Sequence, residues 1–230
     1  DKLLKSSVEY RKISDVEVGL YLSGGLDSTL IGSLLSSDTK LKSFNVDYDE
    51  VFEGYKGELD EAKFSSEIIN VDLIHKSITF DEFKNIINEY PLLQDDLIGD
   101  EVGIPLYFLG KLANKNGLKV VQVGEGADEL FFGYDHWLRF VNLYKKIPKI
   151  SNISFGNIIE SHRANLIINI LSNNNPFPGG AVGFNMSEIK NLANFNITEK
   201  SSIINYSDNL WDLYSSKDDF SITKWMTYID

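Results

Sequence analysis

Cysteine is absent from the 230 residues of this chain. Its absence excludes disulfides, a thiolate nucleophile, persulfide sulfur transfer and Cys-ligated zinc. Histidine is nearly absent, and the three present are too scattered to form a metal cluster. Basic residues are in deficit: 22 Lys and Arg against 34 Asp and Glu leave a net charge of −12. That balance disfavours broad binding to nucleic acid or to an anionic membrane. Lys145, Lys146 and Lys149 are the one obvious basic cluster, and they read as a solvated helix face. No apolar run approaches the ~20 residues a membrane helix needs, and Asp1-Lys2-Leu3-Leu4-Lys5 lacks the apolar centre of a signal peptide. The expected address is the cytoplasm. Because the chain begins with Asp and ends in an expected helix with no closing signal, it is expected to be an excerpt of a longer protein.

What is present is organised around Val18 to Ile31, VGLYLSGGLDSTLI. Val18 to Leu22 is a short apolar run of the buried-strand type, and a helix reads from Ser28. Between them, Gly24 and Gly25 let the main chain turn sharply and approach a ligand, while the helix start offers unpaired N–H groups. Ser23 and Ser28 add hydroxyls, so the stretch is an anion cradle. Asp27 would repel a polyanion unless a divalent cation lay between them, and the simplest reading is phosphate with Mg²⁺. No lysine follows the glycines, so this is not the Walker-type loop. The stretch resembles the SGGxDS loop of the PP-loop ATP pyrophosphatases, which cleave ATP between the α- and β-phosphorus.

Along the chain, an amphipathic helix over Leu4 to Ile13 precedes this stretch. Strands are expected at 41–47, 73–79 and 119–123, with helices at 61–70, 80–90 and 104–114. This β-α-β-α rhythm implies an α/β fold with a parallel sheet covered on both faces. Tyr48 to Asp60 reads as a loop, as does the acidic connection from Pro91 to Gly103 with Asp95, Asp96, Asp100 and Glu101. After Tyr134 only helices are expected, at 137–147, 157–172, 187–194, 201–214 and from 221 onward, with a mobile linker at 173–180. The expected division is an α/β domain over residues 1–135 and a helical part over 136–230.

The fourth strand delivers a turn with three carboxylates, Glu125, Asp128 and Glu129, after Gly124. In an open parallel sheet, two strand ends can face one crevice where the strand order reverses. A metal shared by Asp27 and this cluster would then explain both sets of acids. Acids suited to a helix dipole are the blander account of the same cluster. His75, Trp137, Trp211 and Trp225 read as structural.

DVEVGLYLSGGLDST, SFNVDY, GIPLYFLGKLA and VVQVGEGADELFFGY occur in the order and at about the spacing of the synthetase domain of asparagine synthetases, over roughly residues 10–140. The resemblance implies that a substrate carboxylate attacks the α-phosphorus of MgATP, and that ammonia then displaces AMP to form an amide. It implies that Ser23, Gly24, Gly25 and Ser28 hold pyrophosphate, and that main chain near Tyr21 and Val46 holds adenine. Gly124 would lie near the ribose, Asp27 and Asp128 would bind the cation, and Glu125 would orient or deprotonate the amine. Aspartate is the expected acceptor, with a sugar acid or a peptide carboxylate closing to a lactam as alternatives. A nucleotide-binding module without turnover is the reading from a different class.

The chain also departs from that family, which commonly has Ser where Val123 stands, Gly where Phe132 stands and Asp-Glu-Pro where Asp95-Asp96-Leu97 stands. Its later segment with a catalytic lysine would follow Asp230, so this excerpt is expected to bind nucleotide at best. A glutaminase domain with a terminal Cys is expected in the parent protein. Monomer and homodimer both remain open.

Overall fold

The computed structural model describes residues 2–36, 40–49, 57–95, 102–150, 162–177 and 202–229. The chain divides into two compact units, Asp1–Glu125 and Gly126–Asp230.

In the first unit, α1 (Lys2–Lys12) leads to β1 (Val18–Tyr21), α2 (Leu26–Leu35), β2 (Lys42–Tyr48), α3 (Leu59–Ile68) and β3 (Asp72–Ile78). There follow α4 (Phe80–Glu89), a 3-10 turn (Tyr90–Leu93), α5 (Gly103–Lys115) and β4 (Val120–Gln122). The four strands are parallel in the order β3-β2-β1-β4. From β1 the chain winds outward through β2 and β3, then crosses back to lay β4 on the other side of β1. The winding reverses there, so the loops after β1 and β4 start at neighbouring points of the sheet's carboxyl edge. The α/β parallel architecture read from the sequence is the one observed.

Both faces of the sheet are covered, which explains why the central strand β1 reads as an apolar run rather than as an alternating one. Leu20 and Leu22 pack with Val8 of α1, Leu35 of α2 and Ile69 and Val71 after α3. On the other face Phe44 packs with Ala113 and Leu118, and Ile78 with Ile86, Ile104 and Phe108 of α4 and α5. Helices α2 and α3 each start two residues before their expected positions, at Leu26 and Leu59. Asp27 and Ser28 therefore stand in the first turn of α2, whose N-cap is Gly25.

The second unit contains α6 (Ala127–Phe131), α7 (Asp135–Lys146), α8 (His162–Leu171), α9 (Ser202–Ser215) and α10 (Ile222–Ile229). Its core is aromatic. Trp137, Trp211 and Trp225 are buried with Val141, Phe177, Ile222 and Met226. Trp137 meets Phe177 edge-on with ring centres 5.4 Å apart, and Trp211 meets Trp225 likewise at 5.5 Å. The segment expected to be a mobile linker behaves differently over its described part. The Trp211 and Trp225 indole N–H groups donate to the carbonyls of Asn173 and Phe177, each at 3.0 Å, and Asn175 donates to Ser207 Oγ at 2.8 Å. For the buried indoles of Trp211 and Trp225, this segment supplies the acceptors. The expected helix at 187–194, the start of the one at 157–172, and Asp96, Leu97, Asp100 and Glu101 lie outside the described residues.

No helix among the described residues is long and apolar enough to cross a membrane. Helix α4 begins with a reciprocal cap. Glu82 N donates to Thr79 Oγ1 at 3.2 Å and Thr79 N donates to Glu82 Oε2 at 3.0 Å. Thr79→Ala is expected to cost about 0.5–2 kcal/mol and Thr79→Ser to cost less, read as the shift of the urea midpoint at constant slope.

Candidate functional site

The site candidate in the first unit lies where β1 ends. The last ladder bond there runs from Leu22 N to the Phe44 carbonyl at 2.9 Å, after which Ser23 to Gly25 turn into α2. Gly24 is left-handed, with φ +88°. A side chain at Gly24 would also strike the main chain of α3, with the Ala62 nitrogen 2.5 Å and the Glu61 oxygen 2.7 Å from a Cβ. Only glycine satisfies both conditions. Helix α3 grips the loop further, through the Ser65 hydroxyl donating to the Gly24 carbonyl at 3.3 Å.

Inside the loop the hydroxyls are engaged with one another. Ser23 Oγ and Ser28 Oγ are 3.1 Å apart, Gly25 N donates to Ser23 Oγ at 3.2 Å, and Ser28 Oγ donates to the Gly25 carbonyl at 3.3 Å. Ser28 is buried, whereas Ser23, Gly24 and Asp27 are half-buried and Gly25 is exposed. The Asp27 carboxylate makes no hydrogen bond or ion pair among the described residues.

Strand β4 brings Gly124 to the same place. A Cβ on Gly124 would lie 3.0 Å from the Ser28 nitrogen and 3.2 Å from the Asp27 Cβ. The main chain after β4 thus rests directly on the first turn of α2, which joins the two motifs that the sequence separates by about a hundred residues. Glu125, the last residue of this unit, is exposed. Tyr21 packs on the face that carries α5, and burial raises its phenol above the ordinary range. Val46 is half-buried against the cluster that contains Ile104 and Phe108.

Asp128 belongs to the second unit and is described with it. It stands in α6, a five-residue helix bracketed by two left-handed residues, Gly126 with φ +83° and Phe132 with φ +61°. Gly133 N donates to the Asp128 carbonyl at 3.0 Å, and a Cβ on Gly133 would overlap the Asp128 carboxylate. The Tyr134 hydroxyl donates to Glu129 Oε1 at 2.6 Å. The left-handed conformation at Phe132 is one that glycine adopts without strain, which accounts for glycine being common there in the family the sequence resembles. Here the strain is offset by ring contact, with Phe132 edge-on to Trp137 at 5.1 Å.

The family model described as asparagine synthase matches residues 1–188. The chain belongs to the asparagine synthase family. Among curated relatives, an asparagine synthetase (glutamine-hydrolysing) of Bacillus subtilis is 37% identical over 158 residues, 64% of this chain and 24% of that protein. A putative asparagine synthetase (glutamine-hydrolysing) of Mycobacterium tuberculosis is 36% identical over 159 residues, 68% of this chain and 24% of that protein. Asparagine synthetase B (glutamine-hydrolysing) of Escherichia coli is 29% identical over 148 residues, 57% of this chain and 26% of that protein. The chain thus spans about a quarter of the length of these relatives.

Several residues have partners that their place in the sequence does not reveal. Asn45, buried on β2, donates from Nδ2 to the Leu22 carbonyl at 3.0 Å, and its Oδ1 lies 2.9 Å from His75 Nδ1. Glu58 is held above the usual carboxylate range by burial first and then by the charges of Asp47 and Glu61. Ser65 acts through its hydrogen bond to the Gly24 carbonyl and Gly133 through its contact with Asp128, and only coordinates reveal such roles.

Two outcomes follow from this geometry. Gly24→Ala is expected to destabilise the first unit by about 1–3 kcal/mol, through backbone strain and collision with α3, and to speed hydrogen exchange across residues 22–28. His75 is held below its ordinary value of 6.5 by burial first, with Lys63 lowering it further and Asp47 opposing. The unfolded chain therefore takes up this proton at a higher pH than the folded one, so His75 makes stability fall as pH drops through and below about 6.5. A nuclear magnetic resonance titration should place the His75 midpoint below that value, and His75→Asn should flatten this part of the stability profile.

Proposed function

We propose that this chain is the nucleotide-activating part of a synthetase that adenylates a carboxylate, the side chain of aspartate, with release of pyrophosphate, and then forms an amide with ammonia. The observation that carries the reading is the rest of Gly124 on Asp27 and the Ser28 amide, at the carboxyl edge where the strand order reverses. Family membership gives the ligase class. Within the first unit, the contact of Gly124 with the first turn of α2 supports a nucleotide pocket beside the loop after β1.

The chain's own residues divide the work. Main-chain N–H groups of Ser23, Gly24 and Gly25, with the hydroxyls of Ser23 and Ser28, would hold the leaving pyrophosphate where its charge develops. Main chain near Tyr21 and Val46 would take the adenine, and Gly124 would lie near the ribose. Glu125, exposed at the end of β4's loop, would take the proton that the attacking amine must lose before AMP departs.

The donor set also fits a divalent cation. Asp27 offers a carboxylate not engaged by the described residues, and Mg²⁺ characteristically takes one or two carboxylates together with substrate phosphates. Asp27 and Asp128 would hold it, and it would supply neutralisation of phosphate charge. In the whole protein, by analogy with relatives named as glutamine-hydrolysing, a glutaminase domain would supply the ammonia.

The natural full-length protein is expected to exchange labelled pyrophosphate into ATP only when aspartate is present. Exchange that requires a sugar acid or a peptide carboxylate instead would move the substrate, and ATP binding without exchange would reduce the site to a nucleotide-binding module. Asp27→Asn should lower exchange by at least about tenfold. Glu125→Gln should leave exchange standing while slowing amide formation by about a hundredfold or more.

A further inference from the structure

A buried polar connection runs between the phosphate loop and the outer strand. Asn45 is 3% exposed, on β2, and spans to both neighbouring strands. On one side its Nδ2 reaches the Leu22 carbonyl, 3.0 Å away, and on the other its Oδ1 faces His75 Nδ1 at 2.9 Å, directly opposite in register. His75 Nε2 lies 3.3 Å from Ser77 Oγ. The chemistry fixes every orientation in this chain of contacts. A carbonyl can only accept, so Asn45 turns its amide nitrogen to Leu22. Its oxygen then accepts from His75, which must carry a proton on Nδ1.

The Leu22 carbonyl belongs to the peptide that opens the loop. That peptide is planar and trans, so the group that holds its C=O aims its N–H, that of Ser23, in the opposite direction. The Ser23 N–H makes no hydrogen bond among the described residues. We propose that Asn45, steadied by His75, is a positioning residue for the phosphate loop, one that orients the Leu22–Ser23 peptide so that the Ser23 N–H is presented to the pyrophosphate of the nucleotide. The proposal rests on the reading of residues 23–28 as the phosphate cradle.

The hold does not depend on the charge of His75. A second proton would enter at Nε2, where Ser77 can turn to accept, and the Nδ1–H to Asn45 bond would persist. The charged groups that act on this imidazole are Asp47 on β2 and Lys63 on α3, and their effects oppose each other. The imidazole thus serves as a fixed donor.

The test compares Asn45→Ala, Asn45→Asp, His75→Phe and His75→Asn in the natural full-length protein, with Mg²⁺ and inorganic pyrophosphate as the ligand in calorimetry and hydrogen exchange read over residues 22–28. Asn45→Ala is expected to weaken pyrophosphate binding by about tenfold. Asn45→Asp, which sets an oxygen against the Leu22 carbonyl, should weaken it further. His75→Phe should reproduce part of the loss, and His75→Asn, whose amide can donate from near the place of Nδ1, should restore it. The KM for the carboxylate should move less than about twofold, because a general loss of structure would affect both substrates while a loop defect affects one. Loop exchange should rise in step with the loss of affinity. Wild-type affinity in Asn45→Ala, or wild-type loop exchange, would overturn the proposal. If Asn45→Ala does not fold, equal pyrophosphate affinity in His75→Phe and His75→Asn would do so instead. Absence of pyrophosphate binding in the wild-type protein would bring down the synthetase reading, and the loop-exchange comparison would then decide the role of Asn45 alone.

Discussion

Main chain lying against main chain, with no Cβ between, is the constraint on which the carboxyl edge of the sheet depends. Gly24 rests on the first turn of α3 and Gly124 on the first turn of α2. Each contact replaces a side-chain interface, which could relax, with one that cannot, because peptide groups have no rotamers to give. The loop after β1 is thus clamped from two sides by backbone and from below by the amide of Asn45. A loop held in this way would, on the proposed function, meet its nucleotide already shaped, which is the condition under which fixed N–H dipoles act on a developing charge without reorganising.

The second unit reaches rigidity by another route. Its helices meet through large rings rather than through close-packed backbone, and the indole N–H groups of Trp211 and Trp225 are absorbed by an irregular segment. That segment carries two prolines and small polar residues, so by composition it resembles a spacer. It is a core element because two buried donors had to end somewhere, and carbonyls outside regular secondary structure are free to receive them.

The order of elements in the first unit was legible because period and punctuation agree. Apolar runs are followed by Gly24-Gly25 or by Gly124, and then by a helix. What stayed hidden has a common cause. The position of β4 beside β1 is a long-range choice, and nothing local in Val120-Val121-Gln122 distinguishes one side of β1 from the other. Asn45 reads as a polar interruption of a strand, since its partners lie 23 and 30 residues away. Helix α6 is too short to show a helical period, so its acids read as a turn. Phe132 stood out in the sequence only as an aromatic in a place where glycine is common. Its left-handed backbone and its ring on Trp137 together explain both the preference and the exception.

That exception ties an optical property to the carboxylates. The buried indole of Trp137 touches the rings of Phe132 and Tyr134, and Tyr134 in turn grips Glu129. Trp211 and Trp225 have their ring contacts elsewhere, with Phe220, Tyr214, Tyr228 and each other. A rearrangement of the acidic helix would therefore change the surroundings of the Trp137 indole, an intrinsic fluorophore, without any label being attached.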